Sequence, residues 1–302
     1  MFSENTKIFA GYALICLLWG STWLAIRVGL DSLTPILAAG IRFSLAAVLF
    51  YTLMKYKKIR VQRDPLSIKL YFIMGIFSFV IPFGLVYWAE QFIATGLTSV
   101  LFAIFPFIVI MFSRILIPNE TIGPFKIIGS VIAFIGIYFI FSDDLSMDVS
   151  TDIWGMAAVL VSATMQGIVA VIIKKHGQEL NPLTMNLFPV LIAGIIMIPL
   201  GIFTEDMSRV VIDYGAIFSV SYLALFGTVL TFTTYYWLMK RMNLVILSLN
   251  SLITPIIAVL LGWFILNESL SMHDLLGTVM VLIGLVLANI AGIIKYYRIK
   301  TV

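Results

Sequence analysis

The sequence predicts an all-α membrane protein of ten transmembrane helices, arranged as two inverted five-helix repeats. Three observations predict it: the composition, the spacing of the apolar runs, and a self-similarity between the two halves of the chain. Of the 302 residues, 61% are hydrophobic and 11% charged, and the mean hydropathy is +1.09. A soluble domain carries about a quarter charged residues, so most of this chain faces something less polar than water, and lipid is the simplest such surroundings.

A helix rises about 1.5 Å per residue, so ~20 apolar residues cross ~30 Å of hydrocarbon. Runs of that kind fall at 8–27, 34–54, 69–89, 92–115, 122–142, 153–173, 184–203, 215–239, 244–266 and 275–294. They lack the strict alternation of barrel strands, which are about 10 residues long. The first run is too long for a signal-peptide core and has no clear small-x-small cleavage site, so it reads as a retained helix. Cys16 is the single cysteine, which rules out a disulfide framework or a cysteine metal site.

The basic residues orient these spans. Lys7, the cluster from Lys55 to Lys69, Arg114, Lys126, Lys174, Lys175, Lys240, Arg241, Lys295, Arg298 and Lys300 all fall on one side if both termini are cytoplasmic. The other side holds Arg209, Arg27 at the end of the first span, and acidic loops with Asp143, Asp144, Asp148, Asp152, Glu205, Asp206 and Asp213. That Lys/Arg bias predicts a multi-pass protein of the inner (cytoplasmic) membrane. It also accounts for the net charge of +4 without invoking nucleic acid.

The repeat is visible as pairs at nearly constant offset. Tyr87-Trp88 returns as Tyr236-Trp237, Phe105-Pro106 as Thr254-Pro255, Pro118-Asn119-Glu120-Thr121 as Leu266-Asn267-Glu268-Ser269, and Gly129 and Gly136 as Gly277 and Gly284. Residues 1–145 and 146–302 then hold five spans each. Five is odd, so the second copy enters the membrane upside down. Inverted repeats supply two related gates around a midplane site, the architecture of a carrier.

The residues also carry a family resemblance. Trp19-Gly20-Ser21, Pro35 with Arg42-Phe43, the run Tyr87-Trp88-Ala89…Gly96-Leu97-Thr98-Ser99-Val100-Leu101-Phe102…Pro106…Asn119-Glu120…Gly129…Gly136, and its second copy Pro255…Asn267-Glu268…Gly277…Gly284 resemble the ten-helix EamA-type branch of the drug/metabolite transporter superfamily. The resemblance implies an inverted-repeat carrier of amino acids, other small metabolites or drugs, often outward. The Trp-Gly signature is replaced by Ala163-Thr164-Met165-Gln166 in the second copy.

Polar groups within spans are costly, so each is a candidate contact for cargo. Arg42, well inside the second span, suits a carboxylate, or else it braces carbonyls and polar groups of the interior. Trp19 and Ser21 are candidates for the cavity wall, with close helix packing through Gly20 and Ser21 as the alternative. Tyr87 and Trp88, mirrored by Tyr236, read as aromatic gates or as interfacial belts. Thr98, Gln166, Asn186 and Asn250 are neutral hydrogen-bonding groups, of which the amides Gln166 and Asn250 are least easily explained by packing. Glu120 and Glu268 read as helix-start charges, and Pro106 and Pro255 as matched bends or hinges. No carboxylate lies at mid-depth; Glu90 is a reserve near the outer end of its span.

No catalytic set, metal cluster or cofactor motif stands out, so an enzyme is not expected. The expected partners are a small-molecule substrate and the lipid bilayer, not nucleic acid, with the protein a monomer or weak homodimer. The reading favours a secondary transporter of small metabolites, foremost amino acids, working outward by alternating access. The alternative is a proton-coupled antiporter of multiple drugs or quaternary amines.

Overall fold

The computed structural model describes residues 3–93, 95–117, 123–141, 149–266 and the short stretches 272–273, 276–277, 279–284 and 286–288. The repeated Asn119-Glu120 and Asn267-Glu268 pairs and Asp143, Asp144 and Asp148 lie outside them. The helices start where short polar side chains take up the first free amides. Ser3 accepts from the Thr6 amide at the start of α1 (Glu4–Leu30). Thr34 precedes α2 (Pro35–Tyr56) without a side-chain cap bond, and the first residue of that helix is a proline. Asp64 accepts from the Ser67 amide at the head of α3 (Pro65–Met74). Proline at the first helical position costs no hydrogen bond and presets the backbone.

A six-residue π segment, Gly75–Val80, joins α3 to α4 (Ile81–Ala89), so the expected third span is one continuous helix, Pro65–Ala89, with a widened middle. The expected fourth span is broken. It consists of α5 (Thr95–Phe102) and α6 (Phe105–Leu116), with Ala103 and Ile104 between. Pro106 sits at the start of α6, where its missing N–H and its ring disrupt the preceding turn. The amides of Ile104 and Phe107 bond three residues back instead. α7 (Pro124–Phe141) completes this half.

The second half repeats the plan. α8 (Val149–His176) and α9 (Pro182–Thr204) are long, the latter with Pro189 and Pro199 inside it and capped by Asn181 on the Leu183 amide. α10 (Tyr214–Ala224), capped by Asp213, leads through a second π segment, Leu225–Leu230, into α11 (Thr231–Met239). The Thr228 and Thr231 hydroxyls donate to carbonyls five residues back, Leu223 and Phe226, which suits the wider turn. α12 (Leu244–Ser248) breaks at Leu249 before α13 (Asn250–Leu266). Pro255 denies the Ser251 carbonyl its amide partner, and the Thr254 hydroxyl donates to it instead at 3.3 Å.

Among the described residues, six helices are long and apolar enough to cross a membrane: Glu4–Leu30, Pro35–Tyr56, Pro65–Ala89, Ile153–His176, Pro182–Thr204 and Tyr214–Met239. Shorter apolar helices lie at Phe105–Leu116, Pro124–Gly136, Leu244–Ile257 and Val279–Ala288. Their outer surface carries large bare side chains such as Phe9, Trp154, Phe203 and Phe218, which suits a hydrocarbon surrounding.

Glycines set the closest helix crossings, as they do where lipid removes the hydrophobic drive. A Cβ on Gly20 would stand 2.6 Å from Ile257, and one on Gly167 would stand 2.7 Å from Ile108. Gly167 lies 147 residues after Gly20, and Ile257 lies 149 after Ile108. The α1–α13 crossing and the α8–α6 crossing are thus one contact made twice, with the repeats exchanged. α2 and α9 form a third tight pair. A Cβ on Gly40 would come within 2.8 Å of the Ile198 nitrogen, and one on Gly201 within 2.8 Å of the Leu37 nitrogen. Glu205 bolts their ends together, accepting from the amides of Ile36 at 2.8 Å and Leu37 at 3.0 Å.

Candidate functional site

A cavity opens where the two repeats meet. α1 supplies Trp19, Thr22, Trp23 and Ile26, on the face that a helix presents every three or four residues. α4 and α11 supply Phe83 and Phe232, with Tyr235 and Tyr236 below the latter. The broken spans contribute Phe102 and Phe105 from one repeat and Asn250, Ser251 and Thr254 from the other. Gln166 and Ala170 come from α8. The breaks therefore bring helix ends and hydroxyl-rich backbone to the cavity rather than to lipid, where free backbone groups would be costly.

Among the described residues of this wall Arg42 is the one charged group, and it is 1% exposed. Its Nε donates to the Thr228 hydroxyl at 3.0 Å, one Nη to the Tyr87 hydroxyl at 3.1 Å and the other to the Gly227 carbonyl at 3.2 Å. Phe43 and Phe83 face the guanidinium with ring centres 5.2 and 5.0 Å from its central carbon. Among the described residues no carboxylate pairs with it. Five N–H groups on a guanidinium leave two for another acceptor. The second π segment carries both Gly227 and Thr228, so its extra residue places two acceptors side by side under Arg42.

Much of the remaining wall is aromatic, and its described polar members are the amides Gln166 and Asn250 and the hydroxyls of Thr22, Ser78, Ser251 and Thr254, with those of Tyr235 and Tyr236. Trp19 packs edge-on against Phe232 at 5.3 Å and tilted against Tyr235 at 5.2 Å. The Gln166 amide donates to the Ser162 hydroxyl at 3.3 Å, which in turn donates to the Pro82 carbonyl. The Asn250 side-chain nitrogen and the Tyr235 hydroxyl are buried with no hydrogen-bond partner.

The lining obeys the repeat. Phe83 and Phe232 lie 149 residues apart, as do Phe105 and Thr254, and Phe102 and Ser251; Trp19 and Gln166 lie 147 apart, as do Trp23 and Ala170. A cavity built from both members of each pair sits on the pseudo-twofold axis, where inverted-repeat carriers hold their cargo. Residues 7–142 and 153–290 each match the EamA-like transporter family. The chain belongs to the EamA-like transporter family.

Its relatives agree. It is 26% identical over 281 residues to "Uncharacterized transporter YoaV" of Bacillus subtilis, covering 92% of this chain and 95% of that one. It is 29% identical to Protein PagO of Salmonella typhimurium, covering 93% and 92%, and 24% identical to "Uncharacterized inner membrane transporter YedA" of Escherichia coli K12, covering 96% and 92%. A solved crystal structure at 16% identity superposes with a TM-score of 0.80 over 96% of this chain and 98% of its own, which shows a shared fold. The protein is a membrane transporter of a small molecule.

Of the residues that the sequence singles out, this EamA fold brings Trp19, Arg42, Gln166, Tyr236 and Asn250 to the cavity wall. Tyr87 stands behind it as a brace for Arg42. Ser21 bonds the Tyr222 hydroxyl at 2.6 Å, outside the lining. Trp88 is 38% exposed and packs on Phe92. Asn186 is buried and donates to the Pro182 carbonyl at 2.7 Å, and Thr98 is buried beyond the wall. Phe83, Phe105 and Phe232 escape a search for polar groups. The offset that pairs Tyr87-Trp88 with Tyr236-Trp237, read one turn earlier, finds Phe83 and Phe232 together.

Proposed function

We propose that this EamA-like transporter carries amino acids across the cytoplasmic membrane by alternating access, with Arg42 receiving the cargo carboxylate. The observation that carries the reading is the unpaired Arg42 guanidinium at the cavity wall, anchored on three neutral acceptors. An uncompensated charge away from water is costly, and a bound carboxylate offsets it through charge-assisted hydrogen bonds. The partnerless Asn250 nitrogen offers a further donor, and Trp19, Phe232, Tyr235 and Tyr236 offer faces for an apolar side chain or an ammonium group. Helices of both repeats, 1–145 and 146–302, tilt around this site as access alternates, about the tightly packed α2–α9 pair. The Lys/Arg distribution supports a cytoplasmic side for both termini, and a carrier so oriented exports whenever the cytoplasmic pool is the larger.

A second reading, a proton-coupled antiporter of quaternary amines or other cationic drugs, draws on the aromatic cluster around Trp19. Arg42 counts against it, because the same cavity would hold two positive charges. Counter-flow in proteoliposomes decides between them. The vesicles are preloaded with amino acids, amines or sugars, and one labelled compound is offered outside. Accelerated uptake of an amino acid without a pH gradient supports the first reading. Uptake of cations alone, and only with a pH gradient, establishes the second.

A further inference from the structure

Glu90 caps the end of α4 at 2% exposure, and both of its carboxylate oxygens are buried without a hydrogen-bond partner. Such a group is held at a cost that a partner would relieve. Arg27, on the last turn of α1, is exposed, has no ion pair among the described residues, and lies within electrostatic reach of Glu90. Arg27 follows Ile26, and Glu90 stands one turn beyond Val86, both in the cavity wall. The two charges therefore stand next to the cavity wall, toward the face away from the N-terminus.

The opposite face shows what a closed mouth looks like here. There the Lys174 ammonium, at the end of α8, donates to the carbonyls of Met239 and Met242, the latter at 3.0 Å. Lys240 donates in return to the carbonyls of Gln178 and Leu180. The Tyr12 hydroxyl reaches the Ile246 carbonyl at 3.2 Å, and Arg241 pairs with Glu4 at 3.0 Å. The offset of 147 that relates Trp19 to Gln166 relates Arg27 to Lys174, and the offset of 149 that relates Tyr87 to Tyr236 relates Glu90 to Met239. The clasp on the closed face and the separated charges on the other face occupy equivalent positions in the two repeats.

We propose that Arg27 and Glu90 are the closing pair of the second gate: the guanidinium docks on the carboxylate when the cavity seals on the face away from the N-terminus, in exchange for the Lys174 clasp. Inverted repeats exchange conformations when access alternates, so the contact made by Lys174 on one face is made by Arg27 on the other. The repeats differ in strength here. One gate closes on a carbonyl, the other on a full charge, so the second closure gains an ion pair and frees a buried carboxylate from isolation. The inference rests on the alternation of the two faces and not on the nature of the cargo.

The test uses the full chain in lipid vesicles with Cys16→Ser, Arg27→Cys and Glu90→Cys, a bifunctional thiol reagent with a short spacer, and intact mass as the readout. No cargo is needed, so the outcome is separate from the counter-flow result. Cross-linking is slow with the Lys174 clasp intact and about fivefold or more faster once Lys174→Ala removes it, the scale of shift that one such contact commands. An unchanged rate, or no cross-link in either background, overturns the proposal. Lys240→Ala serves the same purpose if Lys174→Ala does not insert. If the double-cysteine chain does not insert, Ser248→Cys reports the other face. Glu90→Gln then slows its alkylation by about fivefold, and an unchanged rate overturns the proposal.

Discussion

Arg42 is the residue on which the site turns. Its guanidinium is fixed by Thr228, Tyr87 and the Gly227 carbonyl, so its two remaining donors are presented in a set direction. A lysine keeps the charge but not that planar fork. Arg42→Lys is therefore expected to lower counter-flow of a carboxylate cargo by about a hundredfold, within the ~2–5 kcal/mol range for breaking a buried charge pair. Retained monodispersity and thermal midpoint in detergent, alongside that loss, separate binding from folding. Asn250→Ala and Gln166→Ala each remove one neutral hydrogen-bonding group, worth ~0.5–1.5 kcal/mol, and should raise the apparent KM by several-fold with the maximal rate little changed. Unaltered KM in both variants would remove the amides from the site. Arg42 was legible in the sequence because a charge inside an apolar run is rare. Thr228 was not, because a hydroxyl in a helix ordinarily bonds its own backbone, and its partnership with Arg42 spans 186 positions.

At the scale of elements, apolar runs locate spans but say little about their interior. Continuous hydrophobicity from 92 to 115 conceals the break at Ala103-Ile104, and a helix apolar on every side has no phase from which a π turn could be noticed. The first break lies just ahead of Pro106. Yet the second break falls at Leu249, six residues ahead of its proline, so the two bends are not copies. The glycine crossings, in contrast, are copies, and they should fail alike. Gly20→Val and Gly167→Val each drive a branched side chain against an isoleucine, Ile257 or Ile108. Overpacking of this kind costs ~1–3 kcal/mol, and both variants should show lowered thermal midpoints by a similar margin. Asp213, outside the span that begins at Tyr214, behaves differently. The Ser32 hydroxyl and the Ala216 amide hold its carboxyl below the usual value of 3.8. The folded state favours the ionised form, so its contribution is whole above that pH and is lost as the pH falls through the lowered value. Asp213→Asn should flatten the thermal midpoint against pH below about pH 4 relative to the parent.

For the whole molecule, the repeat was the legible feature, because matched residues run through both halves of the chain at a nearly constant offset. The place of the cavity followed from it, while its aromatic lining emerged only once the offsets were matched with positions in space. The α2–α9 pair has one more consequence. Gly40, Gly201 and the Glu205 cap hold these two helices as a keel, and Arg42 is part of it. Moving one elementary charge through the full field costs about 2.3 kcal/mol per 100 mV. A guanidinium kept at constant depth while the other helices tilt does no electrical work. Turnover with a cargo of zero net charge should then be the same in polarised and depolarised vesicles.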